Sequence, residues 1–217
     1  MALQLAYETS GNTCGVSLHD NNELIAEYSL YVKNIHDAAL AELTNQLLRS
    51  VGQSANDIDF VSISAGPGSF TGLRIGYSFV KGFLFHTNIQ LVSVPSLHSV
   101  AHAAIEFAQY CDADSLLTIV HSHKDLFYVQ HFNKTAQYVG NIEIMNYESI
   151  MNIPEIQSKI LCGPGALHFQ NIGKQLSGLN RLTPRFIGKL GAIYYANGQI
   201  ADTITAEPLY VQAFNPS

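Results

Sequence analysis

The first hundred residues alternate between two hydrophobic periods, which separate strands from helices. The apolar and β-branched runs predict five strands, at 3–9, 14–19, 23–30, 60–64 and 91–94. Apolar stripes at helical spacing predict three helices, at 36–51, 72–86 and 96–110. Asn34 stands where a helix cap is expected, and Gly52 is a typical helix end. The order is a three-strand meander followed by alternating helices and strands, which is typical of a ribonuclease-H-like half.

A rougher copy of this order follows in the second half of the chain. Further strands are predicted at 115–120, 126–133, 138–146 and 159–162, with helices near 148 and at 166–176. In each half a strand leads into Gly-Pro-Gly, first at 66–68 and then at 163–165. This recurrence indicates a duplication, with a reduced second copy because little chain follows Gly163. We therefore expect an α/β protein of two domains, 1–110 and 111–217.

The composition describes a chain that is poor in charge. Of its 217 residues, 47% are hydrophobic and 13% are charged, the latter about half of the usual share. Such a surface is either covered in part by another chain or neutral and polar. The net charge of −6, with no cluster of Lys and Arg, argues against a protein that holds RNA phosphates by itself.

Cysteines and histidines give no metal site by their spacing. Cys14, Cys111 and Cys162 are odd in number and far apart, which is typical of reduced thiols. His98 and His102 share a helix face, but no third ligand accompanies them, so we expect no metal there. No leader-like segment and no apolar run of about 18 residues is present. The expectation is a cytoplasmic protein without membrane contact.

The run Ser-Ala-Gly-Pro-Gly-Ser-Phe-Thr-Gly-Leu-Arg-Ile-Gly at 64–76 is the most informative segment. It predicts a strand, a glycine-rich turn and a helix that Ser69 or Thr71 caps. Free N–H groups at a helix start suit an anion, but the P-loop lysine and the GxGxxG spacing are both missing. Two interpretations stay open, a phosphate contact and a tight turn that lets the helix pack closely.

The helix predicted at 72–86 is apolar nearly all round. Its charged residues are Arg74 and Lys81. A helix of this kind is buried on more than one side. One side faces the sheet, and the other faces either the helix at 36–51 or a partner.

The segment 66–76 resembles, almost letter for letter, the signature of the bacterial TsaB (YeaZ) family. Weaker matches are the opening strand Ala-Tyr-Glu-Thr-Ser at 6–10, His36 at a helix start, and the closing Ala-Glu-Pro-Leu-Tyr-Val at 206–211. The resemblance implies the fold of the actin/Hsp70/sugar-kinase superfamily, with two ribonuclease-H-like halves.

The resemblance also implies a function, that of a non-catalytic partner of TsaD. TsaD transfers a threonylcarbamoyl group to the adenosine next to the anticodon of tRNAs that read ANN codons. Implied partners are a TsaD-like protein, a TsaE-like ATPase and a second copy when the chain is alone, with tRNA contacted only indirectly. No cofactor is expected for the chain itself, and adenine nucleotide with Mg²⁺ is implied at the interface of the complex. Alternatives are an ATP-dependent kinase, a self-sufficient transferase of the same fold, or a peptidase.

Site residues follow from the same resemblance. The family associates through the helices at 36–51 and 72–86. The implied partner interface consists of His36, Ala39, Leu43, Leu47, Gly72, Leu73, Gly76, Tyr77 and Val80. Glu8 stands where nucleotide-using members of the superfamily carry Asp. The candidate nucleotide or phosphate contacts are Glu8, Thr9, Gly66, Gly68, Ser69 and Thr71.

The second half departs from the family pattern at its own acidic position. His121-Ser122-His123 stands where many members have Asp-Ala-Arg. Phosphoryl transfer needs oxygen ligands for Mg²⁺ and cationic clamps. We therefore expect no catalytic residue and no metal ligand in this chain.

Overall fold

The structure is a computed structural model that describes residues 2–32 and 34–211. It divides into two compact units, of which the first joins Met1–Ser96 with Thr183–Tyr210 and the second is built from Leu97–Leu182. These units differ from the sequence-based boundary at 110/111 in two places. The helix after residue 96 groups with the second unit, and residues Thr183–Tyr210 belong to the first.

Within the residues that the structure describes, ten strands form two separate five-stranded sheets. The first sheet holds β1 Leu3–Glu8, β2 Cys14–Asp20, β3 Glu23–Leu30, β4 Phe60–Gly66 and β5 Gln90–Pro95, in the order β3-β2-β1-β4-β5. The second holds β6 Ser115–His121, β7 Leu126–Asn133, β8 Glu143–Asn146, β9 Ile160–Cys162 and β10 Lys174–Gln175, in the order β10-β9-β6-β7-β8. Each sheet has an antiparallel meander with two parallel strands added beside its first strand. The repeated order confirms two ribonuclease-H-like halves.

Helices cover both faces of the first sheet. The α-helices of the described residues, in both units, are α1 His36–Ser50, α2 Phe70–Leu84, α3 Ser96–Tyr110, α4 Tyr147–Met151 and α5 Pro184–Ala196. Short 3₁₀ turns lie at Ala55–Asp57, Ile156–Ser158, Pro164–His168 and Ser177–Leu179. α1 and α2 pack on the face that carries Tyr7 and Ile63, and α5 packs on the face that carries Ala6 and Val92.

α5 had not been predicted from the sequence. Its signal is present, since Pro184 follows Thr183 at the first helical position, where proline is favoured. Ile187 and Leu190 then supply the apolar stripe that packs against the sheet. Because α5 packs on the first sheet, residues Thr183–Tyr210 belong to the first unit.

The second unit is reduced, and the helix predicted at 166–176 is wrong. A 3₁₀ turn and the two-residue strand β10 occupy that segment. Asn171 and Gly173 adopt positive φ there, which interrupts helical backbone. The strand predicted at 138–146 is also shorter, because the chain at Tyr138 makes only an isolated bridge to Phe132 before β8 begins.

The two helix starts differ in how they are capped. Asn34 is no cap for α1, because the cap position is Ile35 and no side chain bonds there. Ser69 caps α2, since its Oγ accepts the Gly72 N–H at 3.2 Å. Of Ser69 and Thr71, the two residues proposed from the sequence to cap α2, Ser69 is therefore the one used.

Candidate functional site

The start of α2 lies directly on the end of β1, and glycines make this approach possible. A Cβ on Gly68 would stand 2.1 Å from the Ser10 carbonyl oxygen, and one on Gly72 would stand 2.2 Å from the Thr9 carbonyl oxygen. A Cβ on Gly76 would stand 2.3 Å from the Thr9 Oγ1. Glycine is needed wherever another backbone comes this close. The spaced glycines therefore serve packing within the first unit.

The polar groups of the glycine turn are used by the chain itself. The Ser69 N–H donates to the Ser10 carbonyl at 2.7 Å, and the Leu73 N–H donates to the Ser69 carbonyl at 2.9 Å. Together with the Ser69 cap on Gly72, these bonds use the N–H groups of Ser69, Gly72 and Leu73 within the chain, which leaves fewer donors for an anion. Of the six candidate phosphate contacts, Glu8, Thr9 and Gly66 are buried, Gly68 is half-buried, and Ser69 and Thr71 are exposed.

Glu8 is a fully buried carboxyl that ends a chain of hydrogen bonds. Its Oε1 accepts the N–H and the hydroxyl of Ser10, each at 2.5 Å. The Ser96 hydroxyl donates to Ser10 Oγ at 3.0 Å, and the Gly66 N–H donates to Ser96 Oγ at 3.2 Å. Burial raises the pKa of Glu8 to about 7, against the opposing effect of the Ser10 bonds. The carboxyl thus ties β1, the glycine turn and the start of α3 together.

The second unit repeats the contact between glycine and strand but has no carboxyl there. A Cβ on Gly165 would stand 2.8 Å from the Ile119 carbonyl oxygen, as one on Gly68 would stand against Ser10. The two glycine turns therefore approach the first strand of their sheets in a similar manner.

His121 is the last residue of β6, as Glu8 is the last residue of β1, which agrees with the sequence-based comparison of His121 with the second acidic position. His121 lies at the exposed end of the strand. Its imidazole stacks on His168 with ring centroids 5.3 Å apart, and its Nε2 lies 2.9 Å from the Lys124 carbonyl oxygen.

The residues predicted as the partner interface are interior. All nine are buried in the structure: His36, Ala39, Leu43, Leu47, Gly72, Leu73, Gly76, Tyr77 and Val80. The reason is that the apolar stripes of α1 and α2 face the sheet and each other. His36, for example, places its Nε2 3.1 Å from the Thr13 carbonyl oxygen.

The outward faces of the same helices carry different residues. On α1 the exposed positions include Asp37, Ala38, Ala41, Glu42 and Asn45. On α2 they are Thr71, Arg74, Ser78 and Gly82. A partner that docks on these two helices meets this second set.

Residues 204–210, the closing segment, contact the glycine-rich segment at 64–76, a contact that was not predicted from the sequence. The Leu209 N–H donates to the Ala65 carbonyl at 2.7 Å, just before the glycine turn. The guanidinium of Arg74 lies over the Phe70 ring at 3.8 Å, and its Nε donates to the Tyr210 hydroxyl at 3.3 Å. The Phe70 and Tyr210 rings are 5.3 Å apart. The two motifs that carry the resemblance therefore form one surface of the first unit.

The remaining candidate groups have structural partners. His98 lies against Phe132, and its Nδ1 is 2.8 Å from the Tyr138 hydroxyl; burial lowers its pKa to about 4. Among residues 2–32 and 34–211, no group of three or more His, Cys, Asp or Glu side chains is arranged to hold a metal. All three cysteines are free thiols. In this part of the chain no helix is both long and apolar enough to cross a membrane.

Comparison with known proteins gives a family for this arrangement. Residues 31–206, more than half of the chain, match the family described as TsaD, tRNA N6-adenosine threonylcarbamoyltransferase. The tRNA threonylcarbamoyladenosine biosynthesis protein TsaB of Haemophilus influenzae is 22% identical over 96% of this chain and 92% of its own length. TsaB of Bacillus subtilis is 33% identical over 45% of this chain and 42% of its own length.

A solved structure agrees with the sequence relatives. YeaZ from Pseudomonas aeruginosa has a TM-score of 0.80 at 20% identity, covering 97% of this chain and all of its own. At that identity the likeness concerns the fold, and it agrees with the two actin/sugar-kinase-like halves described above. The chain therefore belongs to the TsaD family of tRNA N6-adenosine threonylcarbamoyltransferase, and its curated relatives place it in the TsaB (YeaZ) branch.

Proposed function

We propose that this chain is a non-catalytic partner of a TsaD-like enzyme in the biosynthesis of threonylcarbamoyladenosine in tRNA. The observation that carries the proposal is the tightly packed glycine turn, where Gly68 and Gly72 lie against the backbone of Ser10 and Thr9, directly after β1. The same turn uses the N–H groups of Ser69 and Gly72 within the chain. Together with His121 in place of an acidic residue at the end of β6, this packing favours a protein that acts through its surface.

The docking surface in this proposal is the outward face of α1 and α2. α1 lies beside α2, so that both helices contribute to one side of the first unit. The exposed positions there are small or polar, among them Ala41 and Ser78, which permits close approach of another chain. The buried apolar stripe beneath fixes the spacing of the two helices and so the shape of the surface.

The remaining parts of the proposal are those that the resemblance to the TsaB family implies. The TsaD-like enzyme carries out threonylcarbamoyl transfer, and a TsaE-like ATPase works with the pair. Alone, the chain forms a homodimer, and in the complex it contacts tRNA only indirectly. Adenine nucleotide and Mg²⁺ are held at the joint interface, and the assembly works in the cytoplasm.

A second candidate function is a self-sufficient transferase or kinase of the same fold. Two observations favour it: the family match is named for the transferase, and Glu8 is a buried carboxyl at the end of β1. Assays of ATP hydrolysis and of tRNA modification with the purified chain separate this candidate from the first. We expect the purified chain alone to show no ATP turnover and no tRNA modification. Steady turnover that Glu8→Ala abolishes would establish the enzyme.

Binding to a TsaD-like protein of the same organism tests the proposed docking surface. We expect Ala41→Arg on α1 and Ser78→Arg on α2 to weaken binding, because each adds a long charged side chain to an exposed position of that surface. Ala196→Arg makes the same chemical change at an exposed position of α5 and serves as the matched control. Circular dichroism checks that each variant is folded.

Three results would speak against the proposal. Wild-type chain that fails to bind the TsaD-like protein removes the partner role. Equal binding by Ala41→Arg, Ser78→Arg and Ala196→Arg places the docking surface elsewhere. Loss of binding in Ala196→Arg alone assigns it to α5.

A further inference from the structure

Arg74 is held from two sides on the outward face of α2. The Phe70 ring supports the flat face of its guanidinium at 3.8 Å. The Tyr210 hydroxyl accepts a hydrogen bond from its Nε at 3.3 Å. The side chain is exposed, yet these two contacts restrict both its tilt and its rotation.

The contacts leave one edge of the guanidinium unoccupied. The terminal amino groups of Arg74 make no hydrogen bond within residues 2–32 and 34–211. The ion pair found in that part of the chain joins Arg185 to Glu27, so no carboxylate of the described chain neutralises Arg74. A guanidinium fixed in this way presents two parallel N–H donors, the geometry that matches a carboxylate.

The closing segment that fixes Arg74 is itself anchored beside α2. The Lys81 ammonium donates to the Ile204 carbonyl at 2.8 Å, and the Leu209 N–H donates to the Ala65 carbonyl at 2.7 Å. Ile204 is 85% exposed, and Leu209 and Tyr210 are each 41% exposed. These bonds hold the segment beside α2 and so keep Tyr210 in contact with Arg74.

We propose that Arg74, fixed by Phe70 and Tyr210, is a docking residue that receives a carboxylate side chain of the TsaD-like partner. This inference rests on the proposed function and names one contact within its surface. The complementary charge has to come from outside the described chain, because α2 carries two cations and no acid. Tyr210 acts as a positioning residue, since it sets the direction in which the terminal amino groups point.

Isothermal titration of the TsaD-like protein with purified variants tests the inference. We expect Arg74→Gln to weaken binding about tenfold or more, as for loss of a charge-assisted pair. We expect Arg74→Lys to weaken it nearly as much, because an ammonium lacks the planar pair of donors. Tyr210→Phe keeps the ring and removes the acceptor, so a smaller loss is expected. Lys189→Gln removes one charge from the exposed side of α5 and is the control, with unchanged binding expected.

Titration at low and high salt separates a positioning role from a merely structural one. We expect the salt dependence of binding to decrease in Arg74→Gln and to persist in Tyr210→Phe, which keeps the charge. Light scattering of the variants alone tests whether Arg74 serves self-association instead. Titration with ATP tests whether Arg74 binds a nucleotide instead. Loss of self-association or of ATP binding in Arg74→Gln, with normal partner binding, would contradict the inference.

The outcomes distinguish this inference from the proposed function on which it rests. If Arg74→Gln binds like the wild type while Ala41→Arg does not bind, the Arg74 contact is wrong and the docking surface stands. If the wild-type chain does not bind the TsaD-like protein, both are wrong. A tenfold loss in Arg74→Gln with normal binding by Lys189→Gln supports both.

Discussion

Two glycines of α2 should respond in opposite directions to the same substitution. A Cβ on Gly72 would stand 2.2 Å from the Thr9 carbonyl oxygen, whereas one on Gly82 would have no atom within 4 Å. In Gly72→Ala the backbone of β1 or the start of α2 has to move. That movement disturbs the Ser69 cap on Gly72 and the bond from Ser69 to Ser10.

The size of the effect follows from two opposing contributions. Overpacking costs about 1–3 kcal/mol, and each disturbed hydrogen bond adds about 1 kcal/mol. The gain in helix propensity on replacing glycine by alanine is about 1 kcal/mol at most. We expect Gly72→Ala to lower the free energy of unfolding by about 2 kcal/mol or more and Gly82→Ala to raise it by about 0.5–1 kcal/mol.

Urea denaturation followed by circular dichroism measures this difference between the two variants. For a chain of this size, a loss of about 2 kcal/mol corresponds to a melting temperature lower by about 4–8 °C. A Gly72→Ala variant as stable as the wild type, or as stable as Gly82→Ala, would refute the close approach of α2 to β1. A lowered value for both variants would show that α2 tolerates no alanine and would refute the reasoning equally.

Two pH dependences and one further packing effect are expected in the first unit. Because burial holds the folded pKa of Glu8 at about 7, above its ordinary value, the wild type should lose up to about 3 kcal/mol relative to Glu8→Gln as the pH rises from about 4.5 to 7. Urea titrations at pH 5 and pH 8 check this, and parallel pH profiles would contradict it. Burial lowers the folded pKa of His19 to about 4, so stability present at pH 7 should be lost as the pH falls from about 6.5 to 4, and His19→Gln should flatten this loss in acid denaturation. In Gly188→Ala the new Cβ would stand 2.1 Å from the His19 Nε2, so α5 should be released more readily, as increased amide hydrogen exchange in α5 relative to wild type would show; unchanged exchange would rule this out.

The strands and helices before residue 110 could be predicted because their hydrophobic periods are strong. β3 and α3 begin and end where the sequence places them, and the other strand and helix ends shift by two residues or fewer. α5 was missed because Gly188 and Gly191 interrupt its apolar stripe. Those glycines face His19 and Ser62 on the sheet, a long-range contact that no local pattern shows.

The sequence places the candidate interface on α1 and α2, and the residues that it names there are buried in the structure. An apolar stripe tells which side of a helix is buried, but it does not tell whether a sheet or a partner buries it. The apolar stripes of α1 and α2, which include Leu47 and Val80, therefore suggested an interface, and these residues lie in the core of the first unit. The meeting of Arg74 with Tyr210, 136 residues later in the chain, depends on tertiary structure alone.

Formation of threonylcarbamoyladenosine in a reconstituted reaction tests whether this chain acts through a TsaD-like enzyme. The reaction contains tRNA, the threonylcarbamoyl donor, a TsaD-like enzyme and a TsaE-like ATPase of the same organism, with and without this chain. We expect no product from this chain without the TsaD-like enzyme. We expect more product when the chain joins that enzyme, and unchanged product when a folded Glu8→Gln variant replaces the wild type. Product formed by this chain without the TsaD-like enzyme, or full activity of that enzyme without this chain, would rule out the proposed partner role.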